Sequence, residues 1–382
     1  MITPLSRRTA LVLFPVLLMA CTAREGAVPP AGGNWTLDSA TASTLPQLQA
    51  ADGRLLCVAD GTTPCPAGQP YANRLDAERI ALWEPGRPVQ LWGADSTPID
   101  VGAVGAGLGE YQMVLAVGPG KNGEVLVVDM VADDVRLMRF DRSGKFLELS
   151  RLPPLLEGEA RGFAGKIPLQ QAMVARGDSG GTVFRVTVLD DATKTTGRVV
   201  LEVPIPWLSL QGSDLTSAPP LFVAAPTYVM TTDGEIIWSP GDRLEIVRRM
   251  ADGSPRWQLR GDLPRAPVTP QELAARRASA RQAMGEQATE ADLDTMVARS
   301  DMKHPAVAGL IATPEGVVYV AGPATAADSV DYLRLAADGK PNGRFRLSQD
   351  TRFLLAIGDS ILVQRPHAGE PREIRWLRLT AP

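Results

Sequence analysis

The string most suggestive of chemistry in this sequence is Gly177-Asp178-Ser179-Gly180-Gly181, which fits the surroundings of a nucleophilic serine and also satisfies the G-x-S-x-G pattern. Such a serine needs a histidine to take its proton, placed before it in one common chain order. The two histidines, His304 and His367, both come after it. An elbow serine must instead lead into a helix, whereas TVFRVTVL follows here and reads as a strand. We therefore expect a hairpin turn at this string and treat the overlapping Arg176-Gly177-Asp178 tripeptide as chance. His304 and His367 lie in loops far apart in sequence, where exposed imidazoles are expected rather than ligands. The glycines from 102 to 109 do not form a dinucleotide loop, because Glu110 occupies the place of the third glycine and no helix follows.

Carboxylates offer a second chemistry. Asp76 and Glu78, Asp129 with Asp133 and Asp134, Asp190 and Asp191, Asp242 and Glu245, Asp328 and Asp331, and Glu370 and Glu373 fall in or beside the loops expected to join the second and third strands of each repeated four-stranded unit. If those links share one face of a repeated fold, that face is acidic and suits a cation, a basic partner or a polyhydroxylated ligand. Asp133, Asp134, Asp190, Asp191, Asp242, Asp328 and Asp331 are the candidate ligand-face residues. The plainer expectation is that loops are rich in Asp and that several of these pair with Arg136, Arg243 or Arg372.

Three cysteines give the third chemistry. Arg7 and Arg8 precede an apolar run from Ala10 to Ala20 that is too short to span a bilayer, and Leu18-Met19-Ala20-Cys21 resembles a bacterial lipobox. Residues 1–20 are then a signal peptide, Cys21 is the lipidated N-terminus, and residues 21–34 are a small, Pro/Gly-rich tether. A plain secretory peptide is the alternative. Thr22 after the cysteine resembles lipoproteins passed to an outer membrane or cell surface where the host has one. In an oxidising compartment Cys57 and Cys65 are expected to close a disulfide, with two free thiols as the alternative. No histidine lies nearby to complete a zinc site. The formal charge of -4 becomes -6 without Arg7 and Arg8, and no basic stripe remains, which argues against a nucleic-acid partner. No cofactor is implied.

The elements that must position these residues are short strands. From Met113 to Leu149 four β runs (MVLAVG, EVLVVD, VRLMRFD, KFLEL) are separated by two tight turns and an acidic loop. Weaker copies recur, with paired turn glycines at Gly123 and Gly144, Gly234 and Gly253, and Gly316 and Gly339. We extend the same pairing to Gly53 and Gly86, so that a first blade starts at Asp52. A third blade is expected from Gln170 to Pro206. The last, from Arg352 to Leu379, lacks a final strand that Trp35-Thr36-Leu37 could supply. The sum is an all-β propeller of six four-stranded blades over residues 35–382. It is interrupted at 268–300 by a helical hairpin whose Thr269/Glu272 and Thr289/Asp292 spacings fit capping boxes. Two packed sheets built from the same hairpins are the competing arrangement.

The run from Gly105 through Glu110-Tyr111, Asn122-Gly123-Glu124, Asp129, Arg136, Phe140-Asp141 and Gly144-Lys145-Phe146 resembles NHL-like six-bladed propeller proteins, many of them bacterial lipoproteins without an assigned activity. The strong match covers about one blade. It implies a ring and a binding surface, with Asp129 and Arg136 as structural positions, and no reaction. The function expected is a lipid-anchored extracytoplasmic platform for an unknown protein or small polar ligand. The alternative is a metal-dependent hydrolase of the lactonase kind, which needs carboxylates or amides facing the central channel.

Overall fold

The computed structural model describes residues 33–381, apart from residues 62–63, 94–96, 133, 153–159, 165–166, 179, 190–196, 209, 212–213, 216–218, 232, 286–288, 326–327 and 368–370. Six antiparallel four-stranded sheets follow one another around a ring. The first blade is Tyr71–Arg74, Ile80–Trp83, Val89–Trp92 and Ile99–Val101. The second is Met113–Pro119, Val125–Val131, Asp134–Phe140 and Phe146–Leu152. The third is Ala160–Ala164, Ile167–Arg176, Thr182–Leu189 and Arg198–Pro204, and the fourth is Thr227–Met230, Ile236–Ser239, Leu244–Arg249 and Pro255–Asp262. The fifth is Gly309–Ala312, Val318–Thr325, Ser329–Leu335 and Pro341–Ser348. The first strands lie innermost, and that of the sixth blade, Arg352–Ile357, sits beside Tyr71–Arg74 of the first.

Apolar cores join the first blade to the second, the third to the fourth, the fourth to the fifth, the fifth to the sixth and the sixth to the first, and a further cluster of Ala116, Val128, Val135 and Leu152 lies on the second blade. The second strand of a blade is therefore covered on both sides, and Ile80–Trp83, Val125–Asp129 and Ile236–Ser239 are buried throughout. That is why these runs are apolar without alternation up to Asp129 and Ser239, which close the last two. The alternation expected of half-buried strands is confined to outer strands such as Pro341–Ser348. The turn glycines adopt positive φ, and at Gly144, at φ 84°, room is lacking as well: a Cβ would lie 2.8 Å from the Asp100 carbonyl oxygen of the first blade.

The ring closes differently from the expectation. The sixth blade, Arg352–Ile357, Ser360–Pro366 and Arg372–Thr380, takes its outer strand from Gln49–Val58, antiparallel to Arg372–Thr380. The Trp35-Thr36-Leu37 segment instead extends the fourth blade as a fifth strand, Asn34–Asp38, parallel to Pro255–Asp262. Gly53 is consequently an internal strand residue and not a turn partner of Gly86. Leu37 explains the choice, since its side chain fills the core between the fourth and fifth blades. The Gln170–Pro206 region supplies the second to fourth strands of its blade, because Ala160–Ala164 is the first.

Between the fourth and fifth blades stand α1 (Pro270–Met284) and α2 (Glu290–Ala298), both started by the expected capping boxes. They share a small separate core of Leu293, Met296 and Leu221. In every blade the first-to-second and third-to-fourth links emerge on one side, here the turn face. The second-to-third links and the links between blades emerge on the other. The helices belong to that second side, the insertion face.

The Cys57–Cys65 disulfide is formed and joins the ring-closing strand to the link that leads into the first blade.

Candidate functional site

Asp129 is fully buried at the end of a second strand, and one carboxylate oxygen accepts the backbone N–H groups of Gln112 (2.9 Å) and Met113 (2.8 Å). The other is held by Arg136, which also donates to the carbonyls of Glu110 (2.9 Å) and Ala106 (3.3 Å). The pair thus shapes the glycine-rich link between the first two blades, which presents Leu108 at 79 % exposure. No helix follows that link; Ala103–Val104 and Glu110–Tyr111 bridge in parallel instead.

The acidic set does not converge. Asp242 pairs with Arg243 at 3.2 Å, and Asp331 takes a two-pronged contact from Arg346 at 2.7 and 3.0 Å. Asp134 lies 3.9 Å from Arg151, and Asp328, in left-handed backbone at φ 51°, shares only the fifth blade with Asp331. Asp133, Asp190, Asp191 and Glu370 lie outside the described residues. The strands flanking Asp190 and Asp191 are the third and fourth of their blade, so that link is not a second-to-third one. Asp76 and Glu78 likewise fall in a first-to-second link on the turn face, paired with Arg79 (2.7 Å) and Arg142 (3.0 Å). Arg372 donates to the Asp350 carbonyl at 3.2 Å. Among the described residues no three His, Cys, Asp or Glu side chains are grouped as a metal site would need.

Glu373 has the most elaborate surroundings. Its carboxylate, almost fully buried, receives Arg365 (2.8 Å), Arg375 (2.9 Å) and the His367 Nδ1 (2.6 Å). Burial alone would raise its pKa, but the hydrogen bonds from Arg375, Arg365 and His367 hold it down at about 2. Arg365 reaches on to Asp52 of the closing strand at 2.8 Å, so the cluster straddles the seam of the ring.

His304 is not an exposed loop residue. Its side chain is 12 % exposed, with Nε2 3.2 Å from Glu272 of the α1 capping box and its ring edge-on to Phe222. The Gly177–Gly181 segment is the expected hairpin turn: Gly180 N–H donates to the Gly177 carbonyl and Gly177 N–H to the Gly181 carbonyl, both at 2.8 Å. Ser179 itself lies outside the described residues.

At the channel, the inner strands YANR, MVLAVGP, ARGFA, TYVM, GLIA and RFLLAI contain no Asp or Glu. Their one amide side chain, Asn73, is spent on the Val117 carbonyl of the next blade at 2.8 Å. On the turn face, Arg74 pairs with Glu315 at 3.2 Å. On the insertion face, the Arg352 guanidinium lies 5.3 Å over the ring of Tyr71, which stacks on Trp83 at 5.6 Å. The sequence carries one signal of this group, an arginine opening an otherwise apolar inner strand.

No family model matches the chain, and no curated protein matches its sequence. Among solved structures it is similar to a protein described as exported, from Bacteroides fragilis NCTC 9343. The TM-score is 0.51 at 10% identity, over 91% of this chain and 99% of that one. It is less similar to a DUF4221 family member from Bacteroides vulgatus ATCC 8482, with TM-score 0.49 and 9% identity over 88% and 99% of the chains. A PQQ-bound aldose sugar dehydrogenase from Streptomyces coelicolor gives 0.43 at 12% identity over 88% and 99%. The first likeness supports a shared fold and nothing finer; what the chain shares with known proteins is the architecture of a β-propeller.

Proposed function

We propose that this chain is a lipid-anchored, extracytoplasmic β-propeller whose insertion face serves as a binding or assembly platform. The observation that carries the reading is the direction in which the chain enters the ring. The strand Pro255–Asp262 runs from the turn face to the insertion face, and Asn34–Asp38 lies parallel to it, so Asn34 enters at the turn face. Trp35 agrees, donating its Nε1–H to the Asp338 carbonyl in a turn of the fifth blade at 3.0 Å. A tether running from a lipidated Cys21 then holds the turn face toward the bilayer and leaves α1, α2 and the channel mouth pointing away from it. The similar Bacteroides fragilis protein is described as exported, which accords with this location. Several acyl chains at about 0.8 kcal/mol per buried methylene would make such an anchor lasting.

The test is metabolic labelling with a radioactive fatty acid, followed by membrane fractionation. Label and membrane retention, both lost in Cys21→Ser, are expected. Unlabelled protein that leaves the cell freely would overturn the anchor.

A further inference from the structure

We propose that the channel mouth on the insertion face binds the carboxylate or phosphate group of a small ligand, with Arg352 as the anchoring cation. Among the described side chains of the inner strands the charges are of one sign only, Arg74 and Arg352, and no inner strand contains an acid. Arg74 is matched by Glu315 on the turn face. Arg352 has no carboxylate partner among the described residues, and its neighbours are the Tyr71 ring and a second cation, Arg372. Elsewhere the arginine clusters enclose an acid: Arg365 and Arg375 around Glu373, Arg243 and Arg260 around Glu245, Arg248 and Arg256 around Glu235. Arg352 stands out from these as a half-buried guanidinium left without one.

Position supports the assignment. Arg352 and Tyr71 are the first residues of adjacent inner strands, which places both at the insertion-face end of the channel. Burial pushes the Arg352 pKa down, the Tyr71 hydroxyl opposes this, and repulsion from Arg372 adds to it. An incoming anion would relieve both unfavourable effects. The guanidinium lies 5.3 Å over the Tyr71 ring, and its planar fork can donate two parallel N–H bonds to a carboxylate or phosphate. Trp83, stacked on Tyr71 and buried, keeps its indole N–H without a partner among the described residues, a second polar group unspent beside the same ring.

The site would give the platform's outward face a ligand class. It draws on the platform reading for its biological sense, but Cys21→Ser leaves it intact, so the two proposals fail separately. The test is titration calorimetry of the purified chain with acetate and with inorganic phosphate. At least one should bind saturably, more weakly as salt rises. Arg352→Gln should lower the affinity at least about tenfold, Arg372→Gln by less, and Arg74→Gln should leave it unchanged. If R352Q does not fold, Arg352→Lys carries the test: charge without the fork should bind at least about threefold more weakly. No saturable binding of either anion up to about 10 mM, or equal binding by the Arg352 variants and the parent, would overturn the proposal.

Discussion

Arg74 and Glu315 stand 3.2 Å apart although they belong to the first and fifth blades, so the ion pair spans the inner end of the sixth. The Glu315 carboxylate also accepts the Gly358 N–H of that intervening blade at 3.3 Å, tying three blades together at the turn-face end of the channel. Both side chains are partly exposed, at 20% and 49%, so the link contributes little energy and mainly fixes geometry. A double-mutant cycle with Arg74→Ala and Glu315→Ala should give a coupling of about 0.5 kcal/mol. It should fade at about 1 M salt, where the screening length is ~3 Å. Urea melts read it, and coupling indifferent to salt would mean that the pair does not act through charge.

The Glu373 cluster predicts an acid limit to stability. Its carboxyl titrates at about 2 in the folded protein against an ordinary 4.5. The ionised group therefore stabilises the fold fully above about pH 4.5 and loses that contribution as pH falls toward 2. Glu373→Gln should flatten the fall in stability across this window. At pH 7 it should cost about 3 kcal/mol, because Arg365, Arg375 and His367 are left facing a neutral amide. Denaturation curves at several pH values compare the two proteins; parallel curves below pH 4.5 would assign the acid sensitivity elsewhere.

The Cys57–Cys65 bond predicts a modest, measurable loss on reduction. Its sequence separation of 8 residues closes a short loop, for which chain entropy gives about 2.5 kcal/mol. Cys57→Ser with Cys65→Ser should lower stability by about that amount, with the sixth-blade seam the first part to gain hydrogen exchange. Exchange that rises uniformly would show that the bond does not act locally.

The helical insertion should come apart separately from the ring. Leu293 is fully buried in a core that draws on the insertion and on Leu221 and Phe222. Leu293→Ala should cost about 2–4 kcal/mol within the insertion. The helices should then exchange rapidly while the blades keep their protection, as hydrogen exchange with peptide resolution would show. Loss of protection across the blades as well would make the insertion part of the ring's own stability.

The repeat was legible because turns impose local chemistry. Gly123 and Gly144, Gly234 and Gly253, and Gly316 and Gly339 all have positive φ in equivalent turns. Ring closure was not, because apolar alternation marks a strand without saying which sheet it joins. Gln49–Val58 and Arg372–Thr380 meet from opposite ends of the sequence, and Gly53 mimics a turn glycine inside the first of them. The capping boxes, made within four residues, were read correctly for the same reason that the turns were. The meeting of Arg352 and Tyr71 is not legible in the sequence, because it depends on the tertiary contact that sets the sixth blade beside the first.

Which segment seals the ring is the central assignment of the fold, and cross-strand cysteine trapping tests it directly. Ala51 stands opposite Arg378, whereas Trp35 stands opposite Leu259. Directly opposed residues in an antiparallel pair have Cα atoms about 5 Å apart, within reach of a disulfide. Ala51→Cys with Arg378→Cys should cross-link under mild oxidation in the folded protein, and Trp35→Cys with Arg378→Cys should not. Cross-linking of the second pair without the first would contradict the closure.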